Sequence, residues 1–151
     1  MAKYSGDRSG ITPATGVANW VLETVANVEA KVIEVSWGGE VITTTAMRTR
    51  IARDSAVGTG ARTAGNVQKG NQHSPANTTF FSTTYATTQP TIVAGALFGT
   101  SWNAHGGVVR WLAAPGEEFQ IFDAAAANAS LECRQDVGVG TSTYNVIWEE
   151  M

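Results

Sequence analysis

Hydrophobic and polar residues alternate along many short stretches of this chain. In the run "YNVIWEE", Tyr144, Val146 and Trp148 fall on one side, and Asn145 and Glu149 fall on the other. Successive side chains of a β-strand point to opposite faces of its sheet. A period of two therefore predicts a strand with one buried face and one exposed face.

Similar β-branched and aromatic runs recur along the chain, most of them separated by clusters of Gly, Pro, Asn or Ser. In "AKVIEVSW", Ile33, Val35 and Trp37 are predicted to share a face. In "ASLECRQDV", Leu131 and Cys133 are predicted to face inward. Many short strands with turn signals between them are typical of a β-sandwich or a barrel.

We therefore predict an all-β fold, a single jelly roll or related antiparallel β-sandwich of about eight strands. The paired cysteines typical of antibody-like sandwiches are absent, which favours the jelly roll. The run "DAAAANA", which begins at Asp123, is interpreted as a turn or a single helical coil between strands.

Two segments lack any periodic pattern. Residues 1–18 are rich in Gly, Ser and Thr and are predicted to form an extended N-terminal arm, which leaves residues 19–151 as the sandwich domain. Residues 54–79 are punctuated by glycine and are predicted to form one long loop. Both segments are expected to become ordered only when a partner supplies contacts.

Four side chains of the predicted arm are the best suited to contact a partner protein: Tyr4, Arg8, Ile11 and Pro13. An arginine side chain pairs with carboxylates, and buried tyrosine and isoleucine side chains contribute apolar area.

Composition limits the classes of partner. The chain has 151 residues, of which 43% are hydrophobic and only 15% charged, and its formal net charge is −3. Binding to nucleic acid requires a basic surface, so we expect no nucleic-acid partner. The most apolar run, Ile92 to Gly99, is far shorter than the roughly 20 residues of a membrane span, and the first ten residues do not resemble a secretory signal.

Candidate chemistry is sparse. His105 lies on a turn, and the only other histidine, His73, lies in the predicted long loop, so the His-containing pair that metal enzymes of jelly-roll architecture carry is missing. Glu117 and Glu118 are neighbours on a predicted strand and would point to opposite faces, so they cannot act together on one glycosidic bond. We expect no catalytic residues, no metal and no cofactor.

Cysteine and tryptophan positions favour a structural interpretation. Cys133 falls at an inward strand position and is predicted to be a small core residue. Trp37, Trp111 and Trp148 are likewise predicted to lie in the core. Trp20 and Trp102 lie near strand ends and are the two candidates for surface aromatic contacts, since aromatic rings stack on sugars.

The chain resembles the small structural proteins of tailed bacteriophages, above all capsid decoration (cement) proteins. The resemblance lies in the charge-poor strands rich in Gly, Thr and Ala, in the polar start "MAKYSG" and in the end "YNVIWEE", and it is strongest from Trp102 to Glu150. It implies a non-enzymatic virion protein that binds the outer face of a phage head. The implied partners are the major capsid protein and neighbouring copies of itself, most simply in a homotrimer. Such a protein is assembled in the host cytoplasm and resides on the capsid surface.

Two other interpretations remain open. One is a carbohydrate-binding or host-recognition module, such as a head fibre or an extracellular surface protein, with Trp20 or Trp102 as its platform. The other is an enzyme on a double-stranded β-helix, which the missing metal ligands disfavour.

Overall fold

The computed structural model describes residues 1–122 and 130–151, with all of their side chains except those of Phe80, Thr83 and Thr84. The predicted turn or helical coil at Asp123 lies outside the described residues. Within them, the chain forms β-strands and connecting segments without a helix, so the all-β prediction is confirmed.

The strands form two antiparallel sheets that pack face to face as a sandwich. The first sheet contains β1 (Ala2–Ile11), β3 (Glu29–Gly39), β6 (Asn66–Lys69), β10 (Val108–Leu112), β11 (Phe119–Phe122) and β13 (Ser142–Glu150). The second sheet contains β2 (Ala18–Glu23), β4 (Ala46–Ala56), β5 (Arg62–Ala64), β7 (Phe80–Tyr85), β8 (Thr91–Ile92), β9 (Phe98–Asn103) and β12 (Ser130–Val137).

The strand order is that of a jelly roll. The first strand pairs with the last, β1 with β13, and the second with the one before the last, β2 with β12. Further inward along the chain, β3 pairs with β10 and β11, and β4 pairs with β9. Because β10 and β11 both lie along β3 and act as one interrupted strand, the framework has the expected eight strands. The other four strands belong to an insertion between β4 and β9.

The prediction of an N-terminal arm is wrong over most of its length. Residues 2–11 form a strand inside the first sheet, paired with β13 on one side and with β6 on the other. The positions that share the inward face with Tyr4 are Ala2, Gly6 and Arg8, so only one large apolar side chain marks this strand in the sequence. Tyr4 is buried in the core, and the alternation around it is too weak to recognise.

The predicted long loop over residues 54–79 is also partly strand. It contains the end of β4 and the short strands β5 and β6. β5 extends the second sheet beyond β7, and β6 extends the first sheet beyond β1. These short edge strands are held by backbone hydrogen bonds, and all of their residues except Val67 are exposed. They therefore need no hydrophobic alternation, and none is visible in their sequence.

Aromatic side chains fill the space between the sheets. Phe81 of the second sheet packs on Trp148 of the first, with ring centroids 6.1 Å apart, and Trp37 packs on Phe98 with centroids 5.7 Å apart. The predicted core positions of Trp37 and Trp148 are confirmed. Trp111 is only half-buried and stacks on Phe119.

The strand register shows that Ile33 was predicted to lie on the wrong face of β3. In β13, Tyr144, Val146 and Trp148 are all buried as predicted. In β3, a bulge shifts the register at Ile33, so that Val32 rather than Ile33 joins the core.

Candidate functional site

Four connecting segments meet at one end of the sandwich. They are residues 12–17, 40–45, 104–107 and 138–141, which follow β1, β3, β9 and β12. In a jelly roll these connections all pass from one sheet to the other at the same end. We call this surface the loop end.

Hydrogen bonds between the segments fix the loop end. The Glu40 amide donates to the Thr141 carbonyl over 2.9 Å, and the Val41 amide donates to the Ala104 carbonyl over 3.2 Å. The Ala104 amide in turn donates to the Thr45 carbonyl over 3.0 Å. Three of the four segments are therefore joined through their backbones.

Close backbone contacts at two glycines hold the same region together. A Cβ on Gly39 would lie 1.9 Å from the Ala104 carbonyl oxygen, so no other residue fits there without a backbone shift. Gly138 has a φ of +83°, and a Cβ there would lie 2.2 Å from the Ala46 carbonyl oxygen. The loop end is therefore a tightly packed surface whose shape is set by the framework.

The chemistry of the loop end is unusual for an exposed surface. Its twenty residues include six threonines but no lysine or arginine, and Glu40 and His105 are its only titratable side chains. The Glu40 carboxylate accepts a hydrogen bond from the Thr143 hydroxyl. His105 is exposed, and its Nδ1 lies 3.0 Å from the Val41 carbonyl oxygen.

Aliphatic side chains project from the loop end. Ile42 is 90% exposed and Val139 is 56% exposed. The flanking strand residues Val108 and Val137 are exposed as well. Each such side chain would contribute roughly 1.5–3 kcal/mol if a partner buried it fully. The arrangement is suited to binding an apolar protein surface.

The four residues that were predicted to contact a partner do not lie on an extended arm. Tyr4 is buried, and its hydroxyl donates to the Pro75 carbonyl over 3.1 Å. The guanidinium of Arg8 donates to the Asn19 carbonyl over 2.6 Å, and burial lowers the pKa of this side chain. The interpretation of Tyr4 and Arg8 as partner-binding residues is therefore corrected, because both bind within their own chain.

Ile11 and Pro13 lie at the edge of the loop end. Ile11 is half-buried against the core, and Pro13 is buried. Both line a shallow cleft of about 130 Å³ that also includes Thr12 and Val17. Both residues pack between the loop 12–17 and the core, and little of either side chain is exposed to a partner.

The two tryptophans predicted to make surface contacts are both buried. Trp20 packs against Phe81 with ring centroids 6.3 Å apart. Trp102 donates from Nε1 to the Thr49 hydroxyl over 3.0 Å. The prediction is wrong because β2 is buried on both faces and because Trp102 points between the sheets. Neither ring is available to stack on a sugar.

Glu118 and Cys133, which the sequence analysis also considered, both make contacts that stabilise the fold. The Glu118 carboxylate accepts the Gly116 amide over 3.0 Å in the turn before β11, and hydrogen bonds from backbone amides lower its pKa. Cys133 is buried in the core as predicted, and burial raises the pKa of its thiol.

Within residues 1–122 and 130–151, no group of three or more His, Cys, Asp or Glu side chains is placed to hold a metal ion. The same residues contain no helix that is long and apolar enough to cross a membrane.

Sequence reasoning missed the loop end. The sequence does contain a sign of this surface, because four connecting segments have almost no charged residue: "TPATGV", "EVITTT", "AHGG" and "GVGT". Their proximity was not visible, because up to about 120 residues separate them along the chain. Comparisons with protein families, with curated proteins and with solved structures found no match for this chain.

Proposed function

We propose that this chain is a non-enzymatic virion structural protein that decorates the outer face of a phage head. We further propose that its copies associate, most simply as a homotrimer, through the loop end. The observation that carries the proposal is the tightly packed, charge-poor loop end with Ile42 and Val139 exposed on it. The jelly-roll order of the strands supports it, since viral structural proteins use this architecture widely.

Symmetry favours the loop end over the other surfaces as the contact between copies. Around a symmetry axis, each side chain near the axis meets the same side chain of a second copy, so charges repel there. The outer face of the first sheet carries ion pairs, for example Arg110 with Glu34 and Lys3 with Glu149. The loop end carries one carboxylate, which is already hydrogen-bonded to Thr143.

The filled interior supports a non-enzymatic role. Enzymes of jelly-roll architecture bind substrate between their two sheets, at an open end. Among the described residues of this chain, the space between the sheets is filled by buried aromatic side chains, with Trp37 packed on Tyr144 and Phe81 packed on Trp148. The carbohydrate-binding alternative has lost support, since Trp20 and Trp102 are both buried.

Analytical ultracentrifugation of the purified protein tests the self-association. We expect the wild-type protein to sediment with three times the mass of the chain at micromolar concentration. Ile42→Asp and Val139→Asp should each shift it toward the monomer, because a buried carboxylate at the contact is costly. The matched control is Leu112→Asp, at an exposed position of β10 away from the loop end. A wild-type monomer, or equal effects of all three substitutions, would contradict the proposed contact.

Cosedimentation with empty heads of tailed phages tests the decoration role separately. The wild-type protein should pellet with the heads of its own phage, and Ile42→Asp should bind more weakly because the contact between copies is lost. A trimer that binds none of a broad panel of heads, but binds glycans on an array, would replace the decoration role with the carbohydrate-binding one.

A further inference from the structure

The insertion between β4 and β9 folds back against the second sheet. Its last part, residues 86–97, is called the flap here. The Val93 amide donates to the Arg53 carbonyl over 2.8 Å, and the Leu97 amide donates to the Ile51 carbonyl over 2.8 Å. Within the flap, β8 pairs with the end of β4, where Ile92 lies opposite Asp54.

Two carboxyl groups lie where the flap meets the sheet. Asp54 of β4 accepts the Ser130 hydroxyl over 2.5 Å. Glu132 of β12 is completely buried, although it lies on the outward face of its strand, and its carboxyl lies 2.5 Å from Nε of Arg134. Oδ1 of Asp54 and both carboxyl oxygens of Glu132 are buried without a hydrogen-bond partner, and Glu132 meets Arg134 as an ion pair only.

Arg134 links this pair to the flap. Its Nη2 donates to the Pro90 carbonyl over 2.7 Å, while its Nε faces Glu132. A change in the charge of Glu132 therefore changes the electrostatic energy of Arg134, whose side chain binds the flap. The contact is short and mostly buried, so solvent screens it little.

The neighbouring charges leave the two carboxyls with a deficit of positive charge. The charged and titratable groups that act on the two carboxyls, together with the groups that pair with those, are Glu23, Arg48, Arg50, Arg62, Tyr85, Arg134 and Asp136 among the described residues. Arg62 and Tyr85 bind Glu23, and Arg50 lies 3.0 Å from Asp136. Among these groups, Arg134 is the cation in direct contact with the pair.

We propose that Asp54 and Glu132 form a proton-operated clasp that holds the flap against the second sheet while the two carboxyls share a proton. A proton on one carboxyl satisfies an unpartnered oxygen of the other and removes their repulsion. Arg134 then balances the single remaining charge and keeps its bond to Pro90. When the proton is lost, two buried carboxylates face one cation and the flap is held less tightly. This inference does not depend on the proposed function.

Titration sets the pH range of the clasp. Burial raises the pKa of Asp54 to about 6 and that of Glu132 to about 7. The charge of Asp54 raises the pKa of Glu132 further, whereas a hydrogen bond with protonated Glu132 lowers the pKa of Asp54. With the flap open, both carboxyls would return toward their ordinary values, below 5. Opening therefore releases one proton between about pH 6 and pH 7, where the pair shares a proton, and up to two protons below about pH 6. The fraction of open flap should rise at least about tenfold per pH unit up to about pH 7 and then level off.

Hydrogen exchange followed by mass spectrometry tests the clasp in the 151-residue protein. After correction for intrinsic exchange, opening of the flap should increase at least about tenfold from pH 5 to pH 7.5. The amides between β3 and β13 should show no such increase. In Glu132→Gln the dependence should shrink to the part that belongs to Asp54 and end near pH 6, because the proton on Glu132 is gone while the Asp54 carboxyl stays buried. Glu34→Gln, at an ion pair on the other sheet, is the matched control.

Infrared spectroscopy provides a second readout on the wild-type protein. At pH 6 we expect a carbonyl band from a protonated, buried carboxyl, which disappears by pH 8.5. Its absence at pH 6 would overturn the proposal. So would flap exchange that is independent of pH, or a Glu132→Gln protein that keeps the wild-type dependence. If Glu132→Gln does not fold, the infrared band of the wild type and the exchange of Asp54→Asn decide the matter.

Discussion

Gly6 of β1 lies directly against the ring of Phe81 in the opposite sheet. A Cβ on Gly6 would be 2.9 Å from ring atoms Cγ and Cδ1 of Phe81. The ring also stacks on Trp148, the neighbour of Tyr4 in the first sheet. The absence of a side chain at Gly6 thus lets Phe81 enter the core and close this side of the sandwich.

Replacing Gly6 should destabilise the fold. In Gly6→Ala the new methyl group would press on a ring that is held from several sides, and such overpacking typically costs about 1–3 kcal/mol. Chemical denaturation monitored by tryptophan fluorescence would measure the change in free energy of unfolding. Gly38→Ala is the matched control, since a Cβ there would meet its nearest neighbour at an ordinary 3.7 Å. Equal effects of both substitutions would argue against the close contact.

Deleting residues 1–11 should prevent folding. The deletion removes Tyr4 from the core and leaves β13 and β6 without the strand between them. We expect the truncated protein to lose its cooperative unfolding transition in circular dichroism. Lys3→Ala, on the exposed face of the same strand, should change the free energy of unfolding by less than about 1 kcal/mol. A truncated protein with an unchanged melting temperature would restore the interpretation of these residues as an arm.

Glu150 should stabilise the protein at neutral pH and lose this effect in acid. Burial by itself raises the pKa of Glu150, but hydrogen bonds from Thr79 and Thr78 outweigh it, so the pKa lies below its ordinary value. A carboxyl with a lowered pKa in the folded state stabilises the fold above its unfolded pKa. That stabilisation disappears as the pH falls through the folded pKa.

Glu150→Gln should therefore reduce the free energy of unfolding by about 1–3 kcal/mol at pH 7 and by clearly less at pH 3. Denaturant titrations at the two pH values would measure this difference. Glu149→Gln, which removes only a surface pair with Lys3, should have a small effect at both. An effect of Glu150→Gln that is independent of pH would show that shape rather than charge matters there.

Thr49 connects two other buried polar groups. Its hydroxyl donates to Oε1 of Gln135 over 2.7 Å and accepts Nε1 of Trp102 over 3.0 Å. Thr49→Val keeps the shape but leaves Nε1 of Trp102 without its acceptor and Oε1 of Gln135 with only the longer bond from the Tyr144 hydroxyl, so we expect a loss of about 1–3 kcal/mol and a shifted tryptophan emission. Thr91→Val, at an exposed position of β8, is the control. A Thr49→Val protein as stable as the wild type would mean that water replaces the hydroxyl.

The sequence by itself determined the fold class and most of the framework strands. The alternation in β13 and β12 places apolar side chains, such as Tyr144, Val146 and Leu131, at consecutive inward positions in the middle of each strand. Such a pattern buries its apolar face only in a sheet, whatever the rest of the chain does. The inward positions of Trp148 and Cys133 follow from the same local periodicity.

Only the tertiary structure decided which other residues are buried and which surface is left for a partner. The ring of Phe81, 75 residues away along the chain, occupies the space that a side chain at Gly6 would need. Glu132 is buried although it lies on the outward face of its strand. Trp20 belongs to a strand buried on both faces, which its neighbours in sequence do not indicate. The loop end joins four segments that are distant along the chain. In this jelly roll the strands nearest the two ends of the chain pair with each other, so these environments depend on contacts that no local pattern encodes.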